Sequence, residues 1–380
     1  MPDAPLKGLR VVELARILAG PWIGQTLADL GAEVIKVEAP EGDDTRSWGP
    51  PFIEDETGRS AAYFHAANRG KTSVTCDFKD GAQLAALKRL IGEADVVVEN
   101  FKVGGLARFG LDYESLEAKH PGLVYASITG FGQTGPEAAR PGYDFLIQGL
   151  CGIMDLTGEP DGAPQKIGVA WIDILTGLYG VIAVQSALLE RQRSGRGQHV
   201  DLALLDCGVA ALANQAMNAL VSGRSPKRMG NAHPNIVPYQ VFAAKDGHVI
   251  VACGNDRQFA ALCRVLDLAA LASDPAFATN PARVDNRERL TALLGPAIGR
   301  LDRTTIIAAL ESAGVPGGPI NTVAEALEQP QIAHRGLKIM AGGVPGLRTP
   351  IVFSRSALST DKPAPALDRA ASIAAVRFGD

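Results

Sequence analysis

The aspartate at position 173 is one of the residues in this sequence whose type and position could do chemistry. It follows residues 168–172 and stands where a helical pattern begins, with apolar residues such as Leu178, Ile182 and Leu189 on one face. An aspartate at a helix start most often only caps the free backbone amides. The functional interpretation is a carboxylate held near those amides, ionised at neutral pH and usable as a nucleophile. From the residues alone both interpretations stay open.

Two other polar clusters stand where ligands often bind. Tyr143 and Asp144 follow residues 140–142 at the start of another helical pattern, where a helix cap is again the simpler interpretation. Residues 100–102 follow the apolar run 95–98, which is typical of a buried strand. In open α/β sheets ligands bind outside the carboxyl ends of the strands, so this position favours a binding role.

A loop at residues 45–51 combines a cation with an aromatic ring. It contains Arg46 and Trp48 and ends in Pro50 and Pro51, which makes it too rigid for a plain linker. Such a loop could clasp a planar, anionic ligand, or Trp48 could lie buried over the sheet. Both interpretations remain possible from the sequence.

Several common site types lack their motifs here. Residues 15–24, after the first predicted strand, contain no G-x-G-x-x-G, so a nicotinamide-dependent Rossmann enzyme is a remote alternative. The P-loop, HExxH, GxSxG and EF-hand patterns are absent. Six histidines without ligand spacing, and five cysteines without a CxxC pair, predict neither a metal site nor a disulfide framework.

Composition excludes other classes of protein. The 380 residues carry 37 basic and 41 acidic side chains, a net charge of −4, without a basic stripe, so nucleic acid is not an expected partner. No run approaches the ~18 apolar residues of a membrane span. The first five residues lack the charged and apolar regions of a signal peptide, so we predict a cytoplasmic protein, or a protein of an organelle matrix if a targeting segment has been removed.

Alternating strand and helix patterns predict an α/β fold. Strands are expected near residues 10–14, 32–37, 72–78, 95–98, 123–129 and 198–204, with helices at 20–31, 81–93 and 173–193. Continuous Val and Ile runs are typical of parallel strands covered on both faces. The fold class is therefore a Rossmann-like α/β domain with a mostly parallel sheet.

The boundary to a second domain lies at a composition shift over residues 222–238. Lys245-Asp246-Gly247 predicts a hairpin, and helices are expected at about 256–266, 284–299, 303–313 and 323–328. Strand-like pieces at 337–340 and 349–353 complete the pattern.

Taken together, several segments make the chain resemble the class III CoA-transferase family, which includes formyl-CoA transferase, carnitine CoA-transferase and the α-methylacyl-CoA racemases. They are residues 18–21, 30–38, 45–48, 98–101, 142–144, 157–160, Asp173 with Thr176 and Gly177, and residues 314–316. The resemblance implies a large CoA-binding domain from residues 1–222 and 326–380 around a smaller α+β domain at 223–325. It also implies an interlocked homodimer.

The resemblance places the catalytic nucleophile at Asp173. It implies that CoA moves from an acyl-CoA donor to a carboxylic acid through an aspartyl–acyl anhydride and an aspartyl-CoA thioester. Coenzyme A and acyl-CoA are then substrates, and neither a metal nor a nucleotide redox cofactor is needed. Such chemistry requires an ionised carboxylate, donors for the oxyanions and exclusion of water.

The resemblance also implies contacts with CoA, carried over position by position. They fall on Leu18, Ala19, Trp48, Cys76, Asp77, Phe78, Lys79, Asn100, Phe101, Lys102, Arg108, Pro141, Gly142, Tyr143 and Asp144. Arg108 is the best candidate to hold a phosphate. Ala39 stands where the formyl-CoA enzyme has an arginine, so that contact is not expected here.

The branch within the family is indicated by two differences. Racemases have a histidine where this chain has Tyr143, whose unperturbed pKa is too high for moving an α-proton, so we favour a transferase. Residues 233–239 and 254–259 resemble the succinyl-CoA-dependent dicarboxylate branch, which makes His233, Pro234 and Asn235 candidates for binding the acid. A CoA-binding protein without catalysis remains an alternative. The C-terminus departs from the family at residues 363–368, which predicts a short or differently packed last helix.

Overall fold

The computed structural model describes residues 3–55, 58–368 and 373–379. The chain divides into two units, the larger from Met1–Ile153, Lys166–Gly223 and Pro330–Asp380 and the smaller from Met154–Gln165 and Arg224–Gln329. The expected division into a large domain from residues 1–222 and 326–380 and a small domain at 223–325 stays a prediction.

Strands and helices alternate up to residue 222. In chain order they are β1 (Arg10–Glu13), α1 (Ala19–Asp29), β2 (Glu33–Glu38), β3 (Phe52–Asp55), β4 (Gly58–Ala61), α2 (Ala62–Asn68), β5 (Thr72–Thr75), α3 (Gly81–Gly92), β6 (Val96–Glu99), α4 (Tyr113–Glu117), β7 (Val124–Thr129), α5 (Asp144–Leu150), α6 (Ile153–Leu156), α7 (Trp171–Ser194), β8 (His199–Ala203), α8 (Leu204–Ala210) and α9 (Ala213–Ser222). The antiparallel pair of β3 and β4 was not predicted from the sequence.

Six of these strands form one parallel sheet in the order β5-β2-β1-β6-β7-β8. Successive side chains of a strand point to opposite faces, so Val11 and Val96 enter the core beside α1 and α7, while Val12 and Val97 enter the core beside α3. This explains the continuous apolar strands and confirms the predicted α/β class. The carboxyl ends of these strands share one edge of the sheet.

Helix α7 is the longest helix and packs closely on α1. Gly177 allows this approach, because an added Cβ would lie 2.9 Å from Cδ1 of Trp22. By length and composition alone α7 could cross a membrane, and so could α8 and α9 together across their 74° bend. Ile172, Val181 and Val184 of α7 nevertheless belong to the core of the larger unit.

The smaller unit has its own sheet and core. Its elements are β9 (Tyr239–Ala244), β10 (Gly247–Ala252), α10 (Asp256–Val265), α11 (Asn280–Asp285), α12 (Arg287–Gly299), α13 (Arg303–Ser312), β11 (Gly317–Pro319) and α14 (Val323–Leu327). The strands form an antiparallel sheet in the order β11-β10-β9, and the predicted hairpin turn lies at Lys245 and Asp246. Phe242, Val249 and Leu262 are buried in a core of this unit.

The chain then returns to the larger unit through α15 (Pro330–His334), β12 (Lys338–Ala341) and β13 (Val344–Leu347). The strand expected at residues 349–353 is wrong, since β13 pairs with β12 instead. Pro350 has no amide to donate, and the carbonyls of Thr349 and Ile351 accept from the Arg348 guanidinium at 2.7 and 3.1 Å. Of the described residues beyond 368, only Ile373–Ala375 form a short 3₁₀ turn. Residues 369–372 and 380 of the expected last helix lie outside the described residues.

Candidate active site

Two cavities lie at the carboxyl edge of the parallel sheet in the larger unit. The large cavity has a volume of about 710 Å³ and the small cavity about 220 Å³. Ile17, Tyr143 and Asp173 line both. Asp173 therefore stands where a cavity of the size of a cofactor site meets a smaller one.

Most residues implied to contact CoA lie around the large cavity. These are Leu18, Ala19, Cys76, Asp77, Phe78, Lys79, Asn100, Phe101, Lys102, Arg108, Pro141, Gly142 and Tyr143, and Ala39 lines it as well. Trp48 and Asp144 line the small cavity instead. The fold thus brings together residues from five separate loops, although their contact with CoA stays a prediction.

Asp173 is not the cap of its helix. The N-cap position of α7 is Ala170, and Asp173 is the third helical residue. The cap comes from Asp144, whose Oδ1 accepts from the amides of Ile172 at 2.8 Å and Asp173 at 3.3 Å. Gln148, which is fully buried, donates from Nε2 to the other oxygen of Asp144 at 2.7 Å. The simpler interpretation of Asp144 was a cap on its own helix, α5, but Asp144 caps the helix that carries the candidate nucleophile.

This arrangement raises the pKa of Asp173. The side chain is buried, and burial together with the neighbouring charge of Asp144 raises the pKa to about 7. At this pKa the carboxyl group is only partly ionised at neutral pH, whereas the functional interpretation of the sequence took it as ionised. Asp173 is divided between its two protonation states near neutrality, as is usual for groups at functional sites.

Tyr63 is a residue of the site that sequence reasoning missed. It lies on α2, lines the small cavity, and packs edge-on against Trp48 with ring centroids 5.4 Å apart. Burial and then the charges of Asp173 and Asp144 raise its pKa to about 12. Tyr63 therefore keeps its phenolic proton and presents a hydrogen-bond donor near Asp173. No motif marks it in the sequence.

Trp48 and Arg46 have different roles in their loop. Trp48 is 45% exposed, so it does not lie buried over the sheet. Arg46 is buried and donates from Nε to Glu38 at 2.8 Å, while its guanidinium lies 3.7 Å from the centre of the Phe64 ring. The sequence suggested that Arg46 and Trp48 could hold a ligand together, but of these two side chains only Trp48 lines the small cavity.

The loop between β1 and α1 is held in place by two side chains. Asn100 accepts from the amide of Arg16 at 2.9 Å and donates to its carbonyl at 2.7 Å. Asp43 accepts from the amide of Ile17 at 3.3 Å. Ile17 has a φ of 73°, a strained value for a β-branched residue. These contacts fix the backbone that lines both cavities.

A buried network of ion pairs is hydrogen-bonded to the backbone of this loop. Lys36, fully buried, lies 3.1 Å from Glu13 and 3.0 Å from Asp43, and donates to the carbonyl of Ala15 at 2.8 Å. Burial lowers the pKa of Lys36, but Glu13, Asp43 and Glu38 outweigh it and raise the pKa above its ordinary value. Lys71 pairs with Glu13 at 2.8 Å, and burial lowers its pKa to about 8.

The large cavity combines cations with aromatic rings. Lys79, Lys102 and Arg108 are exposed along it, and the Arg108 guanidinium lies 4.6 Å from the Phe109 ring centre. Such a lining suits phosphate groups. Cys76 is buried, and burial raises its pKa to about 12, so it remains a thiol.

The residues expected to bind the acid lie in the smaller unit. The amide of His233 donates to the carbonyl of Tyr239 at 2.9 Å, and its Nδ1 accepts from the amide of Asn235 at 3.1 Å. Burial and Arg287 lower the pKa of His233, so its ring is neutral near pH 7. A substrate role for His233, Pro234 and Asn235 stays a prediction.

Other site types are not seen in the described residues. Within 3–55, 58–368 and 373–379, no three His, Cys, Asp or Glu side chains cluster as metal ligands. The five cysteines are free and buried. Of the described side chains that line the two cavities, none is a histidine. The absence of a metal or redox cofactor in the working protein stays a prediction.

Known proteins are similar to this chain over nearly its whole length. A succinate–glutarate CoA-transferase from Agrobacterium fabrum is 53% identical over 371 residues, covering 96% of this chain and 93% of the relative. A succinyl-CoA:glutarate CoA-transferase from Mus musculus is 41% identical, with 96% and 84% covered. The crystal structure of a CaiB/BaiF family protein from Brucella suis is 63% identical, with a TM-score of 0.87 and 97% of each chain covered.

The family model described as CoA-transferase family III matches residues 6–370. This agrees with the resemblance of the sequence motifs. The chain is therefore an enzyme that belongs to CoA-transferase family III.

Proposed function

We propose that this enzyme transfers CoA from succinyl-CoA to a dicarboxylic acid, with Asp173 as the nucleophile. The observation that carries the proposal is the buried Asp173 at the junction of the two cavities. The cations of the large cavity suit the phosphates of CoA, and the small cavity suits a short acid. The two relatives named for succinate or succinyl-CoA and glutarate support the choice of donor and acceptor class.

The chemistry balances without another reactant. A carboxylate oxygen of Asp173 attacks the thioester carbonyl, the C–S bond breaks, and CoA leaves as a thiolate. The thiolate attacks the aspartyl carbonyl of the resulting anhydride and releases the first acid as a carboxylate. A second carboxylate then attacks the aspartyl-CoA thioester, and the same steps in reverse restore Asp173.

Two groups near Asp173 support these steps. Tyr63 retains its proton and can donate a hydrogen bond to oxygen atoms that become negative during attack. Asp144 fixes the first turn of α7 through two backbone amides. Only the ionised form of Asp173 attacks. With a pKa of about 7, the rate near neutral pH therefore depends on the fraction of Asp173 that is ionised.

The acting form is proposed to be an interlocked homodimer. Helices α7 and α9 expose apolar side chains that a second copy would cover, namely Leu178, Ile182, Leu189, Met217, Leu220 and Val221. A cytoplasmic location and independence from membranes and nucleic acid complete the proposal.

The proposal is tested by trapping the activated aspartate. The enzyme is incubated with succinyl-CoA and then hydroxylamine, which converts an acylated or thioesterified carboxylate to a hydroxamate and adds about 15 Da. We expect the adduct at Asp173, its absence in Asp173→Asn, and its retention in Asp361→Asn, which removes an exposed carboxylate elsewhere. An adduct at another residue, or none with any acyl-CoA that binds, contradicts the mechanism.

A further inference from the structure

A dicarboxylic acid bound in the small cavity would place a negative charge close to acidic side chains. Its lining includes the carboxyl groups of Asp173 and Asp144. A substrate whose near carboxyl group reacts at Asp173 brings a second carboxylate into this negative surrounding. Like charges brought together in a partly dry site repel strongly unless a cation compensates them.

Lys166 is the only cation among the described residues that line the small cavity. Its Nζ donates to the carbonyl of Ile167 at 3.3 Å. Within the described residues, no carboxylate lies within 4 Å of this ammonium group. Its charge is thus available to an anion in the cavity.

The segment that carries Lys166 is tied to the segment that carries Asp173. Gln148 accepts from the amide of Ile167 at 2.8 Å and donates to the carbonyl of Val169 at 3.3 Å. The same Gln148 amide group donates to Asp144, which caps α7. One buried glutamine therefore fixes the backbone beside the cation with respect to the helix that carries the nucleophile.

The size of the cavity limits the acid. A volume of about 220 Å³ lies below the roughly 300 Å³ at which sites for drug-sized ligands begin. Trp48, Tyr63 and Phe145 provide apolar walls for a short methylene chain. This combination of short apolar walls, a nucleophile and a cation suits a small dicarboxylic acid.

We propose that Lys166 binds the far carboxylate of the acyl group and so selects dicarboxylic over monocarboxylic substrates. This rests on the proposed function, because it assigns the reacting end to Asp173. His233 is the weaker candidate for this role, since its ring is neutral near pH 7 and its Nδ1 already accepts a backbone hydrogen bond.

The test compares acids of similar length with and without the second carboxylate. Lys166→Met removes the charge and keeps the length, Lys166→Arg restores the charge, and Lys119→Met removes an exposed lysine that lines neither cavity. Initial rates are measured with succinyl-CoA against butyryl-CoA as donors, and with glutarate against valerate as acceptors.

We expect Lys166→Met to lower kcat/KM for the dicarboxylic substrates by about 10- to 100-fold, the usual range for a charged hydrogen bond. The monocarboxylic substrates should change less than twofold, Lys166→Arg should recover most of the loss, and Lys119→Met should match the unmodified enzyme. Equal losses for both classes of acid, or no loss for either, overturn the proposal. Loss of discrimination in a His233→Gln variant but not in Lys166→Met does so as well.

Failure of this proposal is distinguishable from failure of the proposed function. If only the role of Lys166 is wrong, hydroxylamine trapping with succinyl-CoA labels Asp173 equally in Lys166→Met and in the unmodified enzyme. If the proposed function is wrong, the unmodified enzyme itself gives no label at Asp173.

Discussion

The raised pKa of Asp173 predicts a steep pH dependence for the first chemical step. With a pKa of about 7, roughly 9% of Asp173 is ionised at pH 6 and roughly 91% at pH 8. The rate constant for acylation by succinyl-CoA should therefore rise about tenfold between these two pH values. A carboxylate with the ordinary pKa of 3.8 would be ionised throughout, and its rate would change by about 1%.

The assay isolates this step from product release. Excess enzyme is mixed with succinyl-CoA in a rapid-quench instrument at pH values from 5.5 to 8.5, and CoA release is followed in a single turnover. Saturating enzyme removes any effect of pH on binding, and the hydroxylamine adduct at Asp173 confirms that the signal reports acylation.

A variant separates the two causes of the raised pKa. Asp144→Asn removes the second cause, the charge of Asp144, but leaves the burial of Asp173. The midpoint of the pH profile should move to lower pH in this variant while remaining above 3.8. A flat profile for the unmodified enzyme between pH 6 and 8, or a midpoint that rises in Asp144→Asn, would refute this reasoning.

Other predictions concern stability, CoA binding and assembly. Because the pKa of Asp173 is raised in the folded state, its protonated carboxyl group contributes stability that is fully present below about pH 4 and is lost as pH rises through about 7. In urea denaturation, Asp173→Asn should therefore be more stable than the unmodified enzyme at pH 8 by up to about 4 kcal/mol. At pH 5 the difference should be less than half as large. Lys36→Met leaves Asp43 buried without its cation and Glu13 paired with Lys71 alone, and should lower the free energy of unfolding by about 3–5 kcal/mol, so an unchanged urea midpoint contradicts the network. Arg108→Leu should raise KM for the CoA thioester roughly three- to tenfold at unchanged kcat, because solvent screens this exposed cation; a fall in kcat alone argues against phosphate binding. Analytical ultracentrifugation should give twice the mass of one chain, and a monomer at micromolar concentration contradicts the dimer.

The sheet was predictable because its strands are buried on both faces. Val96, Val97 and Val98 form an unbroken apolar run, which parallel strands between helices require. Residues 349–353 show the limit of this reasoning, since a similar apolar run with Pro350 pairs with no strand. Local pattern alone does not determine which segment finds a partner.

The candidate site was predictable only in part. Asp173 stands at a visible helix start, and Asn100 follows a visible strand. Tyr63 and Lys166 carry no local signal, because they reach the small cavity through packing between segments far apart in the sequence. The pKa of Asp173 depends on burial and on the charge of Asp144, 29 residues earlier in the chain. Such couplings are set by tertiary structure.

The pairing of Asp144 with the first turn of α7 also directs the proposed chemistry. The free amides of a helix start would normally stabilise a nearby carboxylate and lower its pKa. Asp144 occupies two of these amides, and burial together with the charge of Asp144 raises the pKa of Asp173 instead. A more basic carboxylate is a better nucleophile and a poorer leaving group.

In the proposed mechanism, this difference in basicity favours the breaking of one of the two bonds of the mixed anhydride. Attack of the CoA thiolate on the aspartyl carbonyl expels the substrate acid, whose ordinary carboxyl pKa is near 4. Attack on the other carbonyl would have to expel Asp173, whose pKa is about 7. The less basic leaving group departs faster, so the thiolate is directed toward the aspartyl-CoA thioester rather than back to the donor. On this argument Asp144→Asn, by lowering the pKa of Asp173, should increase the fraction of anhydride that returns to succinyl-CoA, which isotope exchange between labelled free CoA and succinyl-CoA in the absence of an acceptor acid would measure.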